Sequence, residues 1–366
     1  VTIHIGINNL RRHAESTNAA VREAVDRVLG SGWYILGREN DALEEEFASF
    51  CGANHCVGVA NGTDAIELGL RALSVERGSR VVTVANAGYY TLTALSAIGA
   101  VPVFADVDET SRLMSIDHLG EIIAQGGIDA VVITHLFGLL HDMDAILRIT
   151  EPAGVPVFED CAQAHGASRT GRRAGSFGAA ASFSFYPTKN LGALGDAGAV
   201  VTQSDDTARK VRQLRQYGWK SKYEVESPHA RNSRLDEIQA AILRSKLPSL
   251  NDWNTRRREI ATRYSTEIHH PRVSCPPVYG EEYVAHLYVI ACDDRQSLRA
   301  HLSAMGIGTD VHYPIPDYRQ LPLVGSFADF ALPVTEKLAH RILTLPCYPE
   351  LQDEEISHII DSINRW

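Results

Sequence analysis

Seven short apolar runs constrain the fold of this chain more than any other feature. They read "HCVGVA" from position 55, "RVVTVA" from 80, "VPVFADV" from 101, "DAVVITHL" from 129, "VPVFED" from 155, "AASFSFY" from 180 and "AGAVVT" from 197. Each is rich in β-branched or small apolar residues, and segments with a helical apolar repeat, such as "TDAIELGLRALSV" and "DMDAILRIT", lie between them. That rhythm predicts an α/β fold, a mostly parallel central sheet with helices on both faces. The stretch "SRLDEIQAAILRSKLPSLNDWNTRRREIATRYSTEI" then predicts one or two long helices, interrupted at Pro248. Beyond it the chain turns into a smaller α+β region, with a strand over "EYVAHLYVIAC" and a helix over "DRQSLRAHLSAMGI". The natural division is a large domain over residues 1–245 and a small C-terminal domain over 246–366.

With 366 residues the chain is long enough for two domains and a large core. A formal net charge of -10, with no basic run on any predicted helix, argues against nucleic acid as a partner. No segment reaches the roughly 18 consecutive apolar residues of a membrane span, so the expectation is a soluble, cytoplasmic protein without a membrane partner. The six cysteines lack both the spacing of a zinc site and the density of a disulfide scaffold. Cys51 and Cys56 flank His55, but a second ligand pair is missing, so no metal is expected.

Four local features bear on chemistry. In "NGTDAIELGL", Gly62 and Thr63 open a helix whose free backbone N–H groups would face a docked anion, although an ordinary capped helix start reads the same way. In "VPVFEDCAQAHGA", Asp160 arrives at the carboxyl end of an apolar strand, the edge at which open α/β sheets bind ligands, and Gln163 follows within reach. In "FSFYPTKNLGALGDAGAV", Ser184 and Lys189 follow another strand end. A lysine in a partly desolvated pocket has a lowered pKa and can attack a carbonyl to form a Schiff base; most lysines are simply solvated. In "VANAGYYTLTA", Tyr89 or Tyr90 could cover the face of a planar cofactor or pack in the core. An anion cradle, a buried acid, a reactive lysine and an aromatic plate are together what pyridoxal phosphate needs.

The chain resembles the sugar aminotransferases of the DegT/DnrJ family, which have the fold type I architecture of the aspartate aminotransferase superfamily. The similarity runs nearly end to end and is carried by "NGTDA", "EDCAQAHGA", "SFSFYPTKNLGALGDAGAV", "RLDEIQAA" and "VHYPIPDYRQLP". The resemblance implies that Lys189 tethers pyridoxal phosphate, Asp160 pairs with its ring nitrogen, Gln163 contacts its ring hydroxyl, and Gly62, Thr63 and Ser184 bind its phosphate. It implies that Asn232, in "ARNSRLDE", reaches the phosphate of a neighbouring subunit, so that a homodimer shares its active sites. It also points to Tyr186, Tyr217, His312 and Tyr313 as substrate contacts.

Where many members have an aromatic followed by Val-Ala-Thr, this sequence reads "GYYTLT", which puts Gly88 at the usual stacking position and leaves Tyr89 and Tyr90 as alternatives. "YPTK" and "GDAG" look more like the branch acting on 3-keto-6-deoxy sugars than the one acting on 4-keto sugars. The implied reaction moves an amino group from L-glutamate or glutamine to a nucleotide-linked keto-deoxy sugar, a dTDP-3-keto-6-deoxyhexose, by ping-pong kinetics with Lys189 as the proton carrier. A dehydratase of the same family has histidine in place of the lysine, and a non-catalytic regulator on this scaffold would not need lysine, acid and cradle together.

Overall fold

The computed structural model describes residues 4–323 and 325–366. All seven apolar runs form strands of one sheet: β1 (His55–Val59), β2 (Arg80–Val84), β3 (Val101–Ala105), β4 (Ala130–Thr134), β5 (Val157–Asp160), β6 (Ala180–Ser184) and β7 (Gly198–Thr202). Their spatial order is β1-β7-β6-β5-β4-β2-β3. The five strands from β6 to β3 run parallel. β7 is antiparallel to both its neighbours. Strands β4 and β7 are buried along their whole length, as a sheet covered on both faces requires.

The carboxyl ends of β2, β4, β5 and β6 lie side by side, so the loops that follow them converge on one edge. One of those ends is anchored by a buried carboxylate. Glu159, without solvent exposure, accepts hydrogen bonds from the backbone N–H groups of Gly175, Phe177 and Gly178 at 3.0, 2.8 and 2.7 Å. His135 Nε2 lies 2.9 Å from the same carboxylate. The Nδ1 atom of His135 accepts from the His141 N–H, so Nε2 carries the hydrogen and donates. Burial pushes the Glu159 pKa up, but His135 and the backbone donors outweigh it and leave the carboxyl below its usual range.

The predicted helical break is present: the helix Glu237–Lys246 passes through a 3-10 turn at Leu247–Ser249 into the helix Leu250–Glu267. A three-stranded antiparallel sheet follows in the C-terminal part. Its buried residues Tyr288, Ile290, Leu302 and Ile359 belong to the same apolar cluster as Phe47 and Phe183 of the first half. The strand expected over 282–292 forms only at Tyr288–Cys292. Residues 283–287 leave it because their hydrogen bonds run elsewhere. The Val284 and Leu287 N–H groups donate to Gly138 and Phe137, the Arg257 guanidinium holds the carbonyls of Ala285 and His286, and Ala285 takes a positive φ of 43°. No helix among the described residues is long and apolar enough to cross a membrane.

Replacing Glu159 by Ala strands three backbone donors and an imidazole in the interior. The expected cost is roughly 3–5 kcal/mol, read as a lower denaturant midpoint at unchanged slope in equilibrium unfolding.

Candidate active site

The four strand ends open on a cavity of about 810 Å³ lined by Gly62, Thr63, Tyr90, Asp160, Gln163, Ser184, Tyr186, Lys189, His312 and Tyr313 among others. Ten of the residues singled out in the sequence therefore meet in one place.

The cradle side is built from the helix Gly62–Ala72. Asn61 caps it, its side chain accepting from the Asp64 N–H at 2.8 Å. The N–H groups of Gly62 and Thr63 have no protein acceptor among the described residues, which leaves two donors and the positive end of the helix dipole facing the cavity. The turn is pressed against the sheet. A Cβ on Gly62 would come within 2.6 Å of Ser184, and one on Gly198 of β7 would come within 2.4 Å of Asn61. These contacts bring the Ser184 hydroxyl beside the orphan donors, a site shaped for a phosphate.

Opposite stands Asp160, 5% exposed, which accepts from the Ala162 N–H at 3.1 Å and from the Thr134 hydroxyl at 3.4 Å. Burial pushes its carboxyl pKa up; Ala162, Lys189, His135 and Thr134 oppose the shift without cancelling it. Lys189, half-buried, opens its amine on the cavity. Burial among protein atoms lowers the ammonium pKa to about 8, against the pull of Asp160. Gln163 has a determined orientation: Oε1 accepts from the Phe137 N–H at 2.6 Å, so Nε2 donates toward the cavity and the Tyr313 hydroxyl at 3.3 Å. A phosphate, a cationic ring nitrogen, a ring hydroxyl and an aldehyde would each find a matching partner here.

The two tyrosines separate cleanly. Tyr89 adopts a left-handed conformation with φ 71° and packs on the apolar cluster containing Leu92 and Phe104. Tyr90 turns into the cavity, 52% exposed, its ring 6.2 Å from that of Tyr313. The loop carrying His312 and Tyr313 is tied to this turn, for the Asp317 N–H donates to the Ala85 carbonyl at 2.7 Å. His312 Nδ1 lies 2.8 Å from the Thr344 hydroxyl.

Asn232 and Tyr217 do not enter this cavity in their own chain. Asn232 is exposed and lines a neighbouring groove with Arg234 and Gln239; Asp196 borders both spaces. Its side chain does not cap the following helix, whose N-cap is Asp236. Tyr217 is half-exposed, its ring 5.8 Å from the Arg234 guanidinium.

Sequence reasoning missed Asp196, Asp310 and His286, all on the cavity wall. Lys189 is the only lysine or arginine among the described lining residues, against the three carboxylates Asp160, Asp196 and Asp310. His135, Glu159 and Cys161 form the one cluster with metal-like proximity among the described residues. Its donor set does not fit a metal, because both Glu159 oxygens are already occupied by four N–H donors.

The model of the DegT/DnrJ/EryC1/StrS aminotransferase family matches residues 15–364. The chain is similar to the dTDP-3-amino-3,4,6-trideoxy-alpha-D-glucose transaminase of Micromonospora megalomicea subsp. nigra, with 42% identity over 95% of each chain. It is equally similar, at 42% identity over 94% of each chain, to the erythromycin biosynthesis sensory transduction protein EryC1 of Saccharopolyspora erythraea. Among solved structures, that of S. venezuelae DesV in complex with a ketimine intermediate superposes with a TM-score of 0.96 at 38% identity, covering 100% of this chain and 99% of that one.

Two outcomes test the electrostatics of the cavity. A base with a lowered pKa gives up its proton earlier as pH rises, so in apo-protein the labelling of Lys189 by formaldehyde and cyanoborohydride should climb to a plateau just above about pH 8, while solvated lysines keep gaining reactivity to about pH 10.4; peptide mass spectrometry reads both. An acid with a raised folded pKa destabilises the fold once pH exceeds its unfolded value. Asp160→Asn should therefore raise the melting temperature of apo-protein at neutral pH.

Proposed function

This chain belongs to the DegT/DnrJ/EryC1/StrS aminotransferase family, whose transferases work with pyridoxal phosphate, and from that premise we propose that it aminates a dTDP-linked 3-keto-6-deoxyhexose with L-glutamate or glutamine as donor. The observation that carries the reading is the convergence of Lys189, Asp160 and the unpaired donors of Gly62 and Thr63 on one cavity. The 3-keto assignment is supported by "FYPTK" and "GDAG" and by the names of the 3-amino sugar transaminases that the chain resembles. A regulator without catalysis would leave the lysine, the acid and the cradle unused.

In this reading Thr63, Ser184 and the Gly62 and Thr63 N–H groups hold the cofactor phosphate, Tyr90 covers its ring, Gln163 Nε2 donates to its ring hydroxyl, and Lys189 tethers it. When bound, the cofactor supplies an electron sink for the pair left behind as a proton departs from the amino-bearing carbon. Asp160, as an anion, keeps a proton on the ring nitrogen, and its burial strengthens that interaction. The Lys189 amine would take the proton from the donor α-carbon and return it two bonds away, on the carbon beyond the amino nitrogen; with a pKa of about 8 it can serve as base and acid within one turnover. Keto acid leaves before the keto sugar enters. The two substrates therefore take turns in one cavity.

The working unit in this proposal is a homodimer. Three carboxylates against one amine among the described lining residues do not suit a diphosphate-linked sugar and a dicarboxylic amino acid, so further cationic donors come from outside the chain. Asn232 and Arg234 line the adjoining groove, and exposed Trp33, Tyr34, Ile35 and Leu194 offer apolar surface. Two-fold symmetry would complete each cavity with Asn232 of the partner subunit.

Protein supplied with pyridoxal phosphate and either L-glutamate or L-glutamine should convert nucleotide-linked 3-keto sugars, in preference to 4-keto sugars, into amino sugars detectable by mass; conversion of neither class with either donor would refute the reading. Asp160→Asn should lower that turnover by about 100-fold or more. Shared sites predict that Lys189→Ala and an inactive Asn232 variant, each dead alone, regain activity when co-refolded. No recovery in confirmed heterodimers would refute sharing.

A further inference from the structure

His286 lies in the segment 283–287 that departs from the expected strand, and its side chain lines the cavity. Which of its two nitrogens carries the hydrogen follows from a chain of hydrogen bonds behind it. Asn254 Nδ2 donates to the His165 carbonyl at 2.8 Å, so Asn254 Oδ1 is an acceptor. Asn190 Nδ2 donates to that oxygen at 2.9 Å and to the Val284 carbonyl at 3.0 Å. With both amide hydrogens spent, Asn190 can offer only its oxygen to His286 Nδ1, 3.0 Å away. Nδ1 must therefore carry the hydrogen.

Burial, reinforced by the positive charges of Lys189 and Arg257, pushes the imidazole pKa well below its usual value. A neutral ring protonated at Nδ1 has a bare Nε2. That atom makes no hydrogen bond among the described residues, yet it is not sealed in the interior as the unpaired nitrogens of His165 are, so its lone pair is open to the cavity that His286 and Lys189 both line. Asn190, the next residue after Lys189 in the chain, acts as the positioning residue for it.

A lone pair selects for hydrogen-bond donors. The two substrates of the proposed reaction differ in this respect: an amino acid such as glutamate presents carboxylate oxygens, which a lone pair repels, whereas a hexose presents hydroxyl groups. We propose that His286 Nε2 accepts a hydrogen bond from a sugar hydroxyl, which makes His286 a specificity-determining contact of the sugar half-reaction and not of the donor half-reaction. The inference rests on the transamination reading.

The test uses holoenzyme and rapid mixing, with the two half-reactions followed separately through the absorbance of the cofactor. Wild-type protein with L-glutamate or with L-glutamine, and no sugar, checks the reading itself, and absence of a spectral change with both would refute transamination. For His286→Phe the expected result is a loss of about tenfold in kcat/KM for the nucleotide-linked keto sugar, the worth of one hydrogen bond, with less than a threefold change for glutamate. His286→Gln, which can present an oxygen at a comparable reach, should recover part of the sugar-specific loss. Equal losses in both half-reactions, or no recovery in a correctly folded Gln variant, would overturn the proposal. An independent readout needs no variant to turn over: 15N-histidine spectra of wild-type holoenzyme, assigned by the signal missing in His286→Gln, should show Nδ1 protonated and Nε2 bare near neutral pH. A ring protonated at Nε2 would overturn it as well.

Discussion

The carboxylate of Glu159 is the interaction on which the rest of the site depends. It is fully buried, yet its two oxygens gather three backbone N–H groups and the Nε2–H of His135. Four donors compensate a charge that would otherwise be prohibitive in the interior. Side chains alternate along a strand, so fixing Glu159 on one face of β5 turns Asp160 to the other. The carboxylate on the cavity wall is aimed by the residue before it.

A second dependence links the cradle to the lysine. Gly62 has no room for a side chain because Ser184 is there, and Gly198 has none because of Asn61. The antiparallel β7 therefore pushes a helix N-terminus against the end of β6, from which the chain runs on to Lys189. Asn190 then reaches across to Asn254, Val284 and His286. Lysine environment, helix terminus and histidine tautomer thus form one connected arrangement in which polar groups hold one another in place. Charge is the exception: one amine faces three carboxylates.

What was legible in the sequence followed from local signals. β-branched runs, a helix opening at Gly62 and an acid at the end of an apolar strand each act over a few residues, and they led to β1 to β7 and to the cavity floor. Which of Tyr89 and Tyr90 enters the cavity was not legible, because it turns on the positive φ of Tyr89 and on the packing of its ring against residues distant in sequence. The segment 283–287 misled for a related reason. Its near-continuous apolar run Tyr-Val-Ala-His-Leu reads as a strand, but its backbone partners are the turn near Phe137 and the guanidinium of Arg257. His286 was hidden inside that misreading. Asp310 had no local signal, and Asp196 stood in the quoted "GDAG" without being given a role, since only tertiary contact brings them to the wall.

The glycine contacts at the cradle also divide the cavity by how freely it can be redesigned. At the floor, a single added methyl at position 62 or 198 meets backbone or the root of a side chain within 2.6 Å, and neither can swing aside. At the rim, Tyr186 is 52% exposed, and Val311, which also borders the cavity, is only partly buried. A search for altered sugar range would therefore do best to diversify the rim and leave the floor untouched, because variation at the floor would be consumed in restoring the contact between the helix start and the sheet.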